Sequence, residues 1–182
     1  MLVVIGSFGT IVVNILTSVF RGTSKTDIIN KVRENGNYAI SQMGKMIAYA
    51  KSFDGVSPGT CQVLPPALTP TPAPIHFKSI TITSFDEGIT TFSCNEGFDT
   101  PANTIASRSA SNNISLIDAD PTIGSVALPL PILNFCYFTC QKEDIFSSPT
   151  IGIEFTLTSK ITSGIAEKQA TIPFATSIKL RN

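Results

Sequence analysis

The sequence predicts an α+β fold in which a long N-terminal α-helix, with a membrane-spanning first half, packs on a C-terminal antiparallel β-sheet head. Three observations predict it. The first twenty residues include no charged side chain, and apolar residues then recur at spacings of three and four up to about residue 50. From residue 76 onward, apolar and polar residues alternate, which is typical of half-buried strands. A chain of 182 residues has room for one head and one appendage.

Residues 1–20, MLVVIGSFGTIVVNILTSVF, are apolar on every face of a helix. Twenty helical residues rise about 30 Å, which matches the hydrocarbon core of a bilayer. A cleaved signal peptide would carry a basic start that this segment lacks, and few small domains can bury a helix that is apolar all round. We therefore predict that residues 1–20 span a membrane. Gly6 and Gly9 would let a neighbouring helix approach closely.

Residues 21–53 are predicted to form the amphipathic second half of the same helix, ending near residue 52. Gly22 and Gly36 are its predicted weak points. One apolar stripe follows the helical period, which predicts that this half covers one face of the sheet. The stripe contains Ile29, Val32, Gly36, Ala39, Met43, Met46 and Ala50. The residues expected to pack on the sheet are Ile29, Val32, Met43, Met46 and Ile47.

Residues 54–75 contain six prolines and are predicted to form neither a helix nor a central strand. We interpret this segment as a connecting loop that Cys61 holds near its start. A proline-rich ligand for another protein is the alternative interpretation, since such segments also serve in recognition. The loop would separate the helix from a β-sheet head formed by residues 76–182.

The head begins with a predicted β-hairpin. Residues 77–85 and 89–94 alternate in polarity on either side of Asp86-Glu-Gly88, where the glycine is expected to supply a positive φ. Residues 95–113 are polar and loop-like, with extended structure resuming at Ile105. Residues 133–140 form a strand candidate that is rich in aromatic residues.

A second hairpin is predicted near the C-terminus. Residues 151–158 and 170–180 both alternate cleanly, and Ser163-Gly164 supplies the turn between them. Pro173 cannot donate a backbone hydrogen bond, which predicts that the last strand lies at an edge or is irregular there. Together the segments predict an antiparallel sheet of five to seven strands.

The four cysteines, Cys61, Cys94, Cys136 and Cys140, all lie in the predicted soluble part. An even number there favours disulfides and an oxidising compartment outside the cytoplasm. Free buried thiols and a zinc site are the alternatives, although Cys136 and Cys140 have three residues between them rather than the two that zinc sites prefer. Four cysteines allow three connectivities. The preferred one joins Cys61 to Cys94 and Cys136 to Cys140, with a turn inside the second pair.

Charge and motifs favour a structural role over catalysis or nucleic-acid binding. Lysine and arginine number 13, as do aspartate and glutamate, so no basic excess attracts nucleic acid. We expect no cofactor and no enzymatic activity, because phosphate loops, metal-binding histidine motifs and nucleophile elbows are missing from the sequence. His76, the single histidine, is interpreted as structural. Asp118 and Asp120 are a calcium-site alternative to a solvated turn.

Two segments carry a resemblance to a known family. The start, Met1-Leu-Val-Val-Ile-Gly, is similar to the middle of the prepilin signature Gly-Phe-Thr-Leu-Ile-Glu-Leu-Leu-Val-Val-Ile. The segment Asn30-Lys-Val-Arg-Glu-Asn-Gly-Asn-Tyr-Ala-Ile-Ser-Gln-Met resembles the helix after the anchor in minor pseudopilins of the J type. Over about fifty residues, the chain thus resembles the type IV pilin and type II secretion pseudopilin superfamily. Beyond the helix, the likeness is one of architecture.

The resemblance implies a structural subunit of a type IV pilus or type II secretion filament. Its implied partners are other pilin or pseudopilin subunits, the inner membrane and the assembly platform. Its head would lie outside the cytoplasm, at the cell surface or in the periplasm. The residues that the resemblance assigns to anchoring and assembly are Leu2, Val3, Val4, Ile5, Gly6, Phe8, Ile11, Val12, Val13, Ile15, Leu16, Val19 and Phe20.

The basic leader, the cleavage-site glycine and the early glutamate of the family signature have no counterpart in this sequence. Arg21, Lys25, Lys31 and Arg33 follow the apolar segment, and by the positive-inside rule they would keep the head in the cytoplasm. We therefore expect basic residues and the rest of the signature upstream of Met1, where a prepilin peptidase would act. The alternative function is a single-pass membrane-anchored envelope protein with a β-rich binding head that does not polymerise.

Overall fold

The structure is a computed structural model that describes residues 2–64, 73–94, 105–109, 112–117, 121–123, 136–159 and 170–181. For residues 2–11 and a few others in these ranges, it describes the backbone alone. One helix, α1, runs from Leu2 to Ala48. The strands in chain order are β1 Ser52–Ser57, β2 Gln62–Val63, β3 His76–Phe77, β4 Ser79–Thr83, β5 Ile89–Cys94, β6 Ile105–Ser109, β7 Asn112–Ser115, β8 Pro121–Ile123, β9 Cys136–Lys142, β10 Thr150–Ser159 and β11 Thr171–Lys179.

The strands form two sheets. In the first, five strands lie in the order β1-β4-β5-β6-β7, and every neighbouring pair is antiparallel. The second has six strands: β11-β10-β9-β2 form its main path, β3 pairs with β9, and β8 pairs with β10. The short pair β2 and β9 is parallel, whereas the other pairs of this sheet are antiparallel.

The predicted fold class, an α+β chain in which one long helix covers one antiparallel sheet, is wrong. The described part of the chain is mostly β-structure, and its strands form two sheets. Helix α1 does not lie on a sheet along its length, because the burial of its described side chains begins only at Val32, and Val12, Ile15 and Val19 are more than half exposed. The prediction failed because alternation shows which face of a strand is buried, but not which strands share a sheet.

The first predicted hairpin is confirmed as β4 and β5, with one difference in its turn. Residues of the two strands pair from Ser79 with Ser93 to Thr83 with Ile89, and the Ser84 N–H donates to the Gly88 carbonyl. The positive φ belongs to Glu87 (63°) rather than to Gly88. The Asp86 carboxylate accepts the Gly88 N–H at 3.2 Å and fixes this turn, in which the positive φ lies one position earlier than predicted.

The second predicted hairpin is confirmed as β10 and β11. These strands pair continuously from Thr150 with Lys179 to Thr158 with Thr171. Pro173 lies in β11, and β11 is the edge strand of its sheet, as the missing N–H of proline predicted. The predicted turn at Ser163-Gly164 lies outside the described residues.

Two short strands occupy the segment predicted to be a connecting loop. Strand β1 continues to Ser57, and β2 lies next to the Cys61 position. Both strands lie at sheet edges, where a proline-rich segment can still pair on one side. The helix ends at Ala48 instead of near residue 52, because the Lys51 N–H donates to the Thr83 carbonyl and starts the pairing of β1 with β4.

One hydrophobic core joins both sheets and the end of the helix. Phe77, Phe92 and Phe138 are its largest fully buried side chains, and the first and third lie opposite each other on β3 and β9. Among the helix residues expected at this contact, Val32, Met43 and Ile47 are buried, whereas Met46 is partly buried against the core and Ile29 is half-buried.

Two disulfides join Cys61 to Cys140 and Cys94 to Cys136. Disulfide bonding was therefore predicted correctly, but the preferred connectivity was wrong. Cys136 and Cys140 lie on the same buried face of β9, and residues four apart along a strand are about 13 Å apart, too far to bond. Gln62 of β2 pairs in parallel with Gln141, which brings Cys61 beside Cys140. The Cys94–Cys136 bridge ties β5 of the first sheet to β9 of the second.

Candidate assembly helix and its attachment to the head

The helix before Val32, residues 2–31, is the candidate assembly element, and we call it the rod. Four apolar side chains in its first half are largely exposed: Val12, Val13, Ile15 and Val19 are 53–60% exposed. Such a group of exposed branched apolar residues on one helix marks a surface for interaction. The other predicted assembly residues belong to the same helix, but their side chains lie outside the described part: Leu2, Val3, Val4, Ile5, Gly6, Phe8, Ile11, Leu16 and Phe20.

No stretch of helix within the described residues was found to be both long enough and apolar enough to cross a membrane.

Two exposed threonines of the rod donate their hydroxyl hydrogens within the helix. Thr23 Oγ1 donates to the Val19 carbonyl at 2.6 Å, and Thr26 Oγ1 donates to the Gly22 carbonyl at 3.1 Å. Hydroxyls that bond back to the preceding turn are satisfied inside their own helix. Neither group therefore requires water or a polar partner, which suits an element that contacts apolar neighbours.

The helix is attached to the head through a close contact at Gly36. The Phe174 ring of β11 lies against the helix there, and a Cβ at Gly36 would overlap that ring. Phe174 in turn stacks on Phe155 of β10, with ring centroids 5.2 Å apart. Farther along, a Cβ at Gly44 would lie 3.6 Å from Ile178 Cδ1, an ordinary contact. The apolar stripe predicted from the sequence includes Gly36, but no sequence pattern indicates that an aromatic ring occupies the space where a side chain of residue 36 would lie.

A cluster that sequence reasoning missed lies on the opposite face of the second sheet. Tyr137 Oη donates to Glu154 Oε2 at 2.5 Å across β9 and β10, and the His76 ring stacks on Tyr137 at 3.8 Å. The bond to Glu154, burial and the negative charge of that carboxylate together raise the pKa of Tyr137 to about 12. His76 therefore packs on an aromatic ring, as expected for a structural histidine.

Alkaline titration tests this cluster. Below pH 10 the Tyr137 hydroxyl is neutral in the folded and in the unfolded chain. Between about pH 10 and 12 only the folded chain keeps this proton, so the contribution of Tyr137 to the free energy of unfolding falls as pH rises. Of the three tyrosines, we expect one to ionise near pH 12, seen by absorbance of tyrosinate. Tyr137→Phe should remove this step and Tyr38→Phe should keep it. A step that is unmoved in Glu154→Ala would contradict the assigned cause.

The candidate calcium residues cannot be placed within the described part of the chain. Asp118 and Asp120 lie outside the described residues, and the rest of the described chain contains no group of three histidine, cysteine, aspartate or glutamate side chains that can hold a metal ion. The two disulfides use all four cysteines. Because no cysteine is left as a free thiolate, the alternative of a zinc site formed by cysteines is not found in this structure.

Comparison of the chain with protein-family models, curated proteins and solved structures found no match.

Proposed function

We propose that the chain is a structural subunit of an envelope filament of the type IV pilus or type II secretion class. In this proposal, residues 2–20 hold the subunit in the inner membrane until assembly. The rods of neighbouring copies then pack together and replace lipid contacts. The role is structural and not catalytic, and the partners are sister subunits and the membrane platform that assembles them.

The observation that carries the proposal is the apolar surface of the rod. Its first twenty residues contain no charge, and the four apolar side chains described among them are more than half exposed. Burying one such side chain contributes roughly 1.5–3 kcal/mol. A helix with this surface gains free energy by entering lipid or by packing against helices of the same kind.

The two disulfides support the placement of the head outside the cytoplasm. Disulfides persist in oxidising compartments and are rare where thiols are kept reduced. Both bridges lie in the head, and the rod contains no cysteine. A single-pass orientation with the head outside is consistent with this distribution, and the head would then face either the periplasm or the cell surface.

Cysteine cross-linking in cells tests the proposal. In Val13→Cys, oxidation should join rods of neighbouring copies in pairs, because each chain then carries one free thiol. Adding Val4→Cys, a second free thiol on each rod, should extend the pairs to a ladder of higher adducts on a non-reducing gel. Ile114→Cys is the matched control, because Ile114 is similarly exposed (61%) but lies on β7 of the head. It should give few adducts. The native cysteines do not compete, because all four are paired.

Two results would count against a filament. Monomer alone in Val13→Cys, with the protein in the membrane fraction, would favour the anchored envelope protein that does not polymerise. A full-length chain that is monomeric in water without detergent would remove the basis of both functions, because the rod would then need no apolar surroundings.

A further inference from the structure

A second group of exposed apolar side chains lies at the end of the head away from the rod. We call it the tip patch. Its members, Tyr49, Phe85, Ile89, Ile145 and Phe146, are 58–97% exposed, and Phe146 is the most exposed of them. Monomeric domains rarely group side chains of this size at the surface without a partner.

Contacts among the described residues place these side chains at one pole. Helix α1 and β11 run in the same direction, since Gly36 meets Phe174 and Gly44 meets Ile178. The end of the helix therefore lies beside the end of β11, where the Arg181 guanidinium is 5.9 Å from the centre of the Tyr49 ring.

Two backbone and side-chain contacts bring the remaining turns to the same pole. The Leu180 N–H donates to the Pro149 carbonyl, which places the β9–β10 turn beside the C-terminal residues. The ion pair of Lys51 with Glu87, 3.2 Å long, holds the β4–β5 turn beside the end of the helix.

The turn that carries Ile145 and Phe146 is internally bonded. The Asp144 carboxylate accepts the N–H groups of Phe146 at 2.7 Å and Ser147 at 2.6 Å, and Ser147 Oγ accepts the Asp144 N–H at 3.0 Å. An aspartate that satisfies the turn in this way fixes its backbone. Two large apolar side chains are thus held outward by the turn itself, which is costly in water.

The charges around the tip patch largely cancel. Lys51 pairs with Glu87, and Lys179 lies 3.7 Å from Glu143. A patch surrounded by balanced charges does not attract nucleic acid or an anionic membrane surface, because binding to either requires an excess of basic side chains. The complementary surface is therefore apolar and uncharged. The chain itself has such a surface in the uncharged first half of the rod, where Val12, Ile15 and Val19 are exposed.

The rod of the same copy does not reach the tip patch. It leaves the head at Val32 in the direction away from Tyr49, and its thirty residues extend about 45 Å. We infer that the tip patch of one copy binds the rod of a second copy, on the stripe formed by Val12, Ile15 and Val19. Their spacings of three and four put these residues on one side of the helix.

This contact rests on the proposed filament and specifies how its heads are connected. The two surfaces differ, so the contact is heterologous and repeats from copy to copy instead of closing a dimer. Val13 lies about 100° around the helix from Val12, so it stays available for packing between rods. The two contacts can therefore be tested separately.

The test uses the full chain in cells with one cysteine on each surface. Oxidation of Val19→Cys combined with Phe146→Cys should give polymers joined from tip to rod. The control combines Val19→Cys with Ile114→Cys, which lies on β7, and should give few. In addition, Ile145→Ser with Phe146→Ser should lower the assembled fraction about tenfold while thermal unfolding of the head stays unchanged.

The outcomes separate this contact from the filament itself. If Val13→Cys forms its rod-to-rod dimers but Val19→Cys and Phe146→Cys do not link, the tip contact is wrong and the filament stands. If Ile145→Ser with Phe146→Ser assembles normally, the tip contact is also wrong. The same holds if this variant assembles but no longer binds neutral phospholipid vesicles. If the Val13→Cys dimers are missing, the filament fails, and the tip contact with it.

Discussion

Replacing Cys94 and Cys136 together by alanine is expected to lower the free energy of unfolding by about 4 kcal/mol. The bridge closes a segment of 42 residues, and in the chain-entropy account a loop of that length stabilises the folded state by roughly this amount. Domains of this size are stable by about 5–15 kcal/mol, so the loss is a large fraction of the total. Urea unfolding followed by circular dichroism measures it.

The position of this bridge sets it apart from the other one. Cys94 and Cys136 join the two sheets, and both are buried in the core that the sheets share. The Cys61–Cys140 bridge is the control: it closes a longer segment of 79 residues, but both ends belong to the second sheet region. We expect its removal to cost about 4.5 kcal/mol by loop length. Unchanged stability in the Cys94/Cys136 variant would show that core packing alone holds the sheets together.

The same bridges show which parts of the fold were predictable. Both hairpins were predicted, because their strands are neighbours in sequence and their alternation and turn residues are local signals. The division of the strands into two sheets was not predicted. β5 and β9 are linked by cysteines that are 42 residues apart in sequence, and no local sequence pattern indicates that contact. Pairing cysteines by nearness in sequence failed for the same reason: Cys136 and Cys140 face the same side of one strand.

The candidate surfaces were predictable to different degrees. The apolar rod follows from composition, because twenty uncharged residues need no tertiary context to be recognised. The tip patch depends on a turn whose local signal, Asp144 followed by Ser147 three residues later, is readable only once the strands on either side are known. Tyr137 and Glu154 are brought together by the register of β9 on β10, which alternation alone does not set.

Gly36→Ala is expected to lower the free energy of unfolding by about 1–2 kcal/mol, although alanine is the better helix former. In a helix interior this exchange ordinarily stabilises by up to about 1 kcal/mol. At Gly36 the new methyl group would overlap the Phe174 ring, which is itself held against Phe155. Forcing extra volume into such a contact costs roughly 1–3 kcal/mol, so overpacking outweighs helix propensity.

Two glycines of the same helix provide matched controls for this substitution. A Cβ at Gly22 would have nothing within 4 Å, and a Cβ at Gly44 would make only an ordinary contact with Ile178. Gly22→Ala and Gly44→Ala should therefore leave thermal unfolding unchanged or raise its midpoint, whereas Gly36→Ala lowers it. Adding Phe174→Leu should recover part of the loss in Gly36→Ala, because the smaller side chain leaves room for the methyl group. If Gly36→Ala instead behaved like Gly22→Ala, the helix would not be seated on Phe174, and the rod would not be fixed to the head at this point.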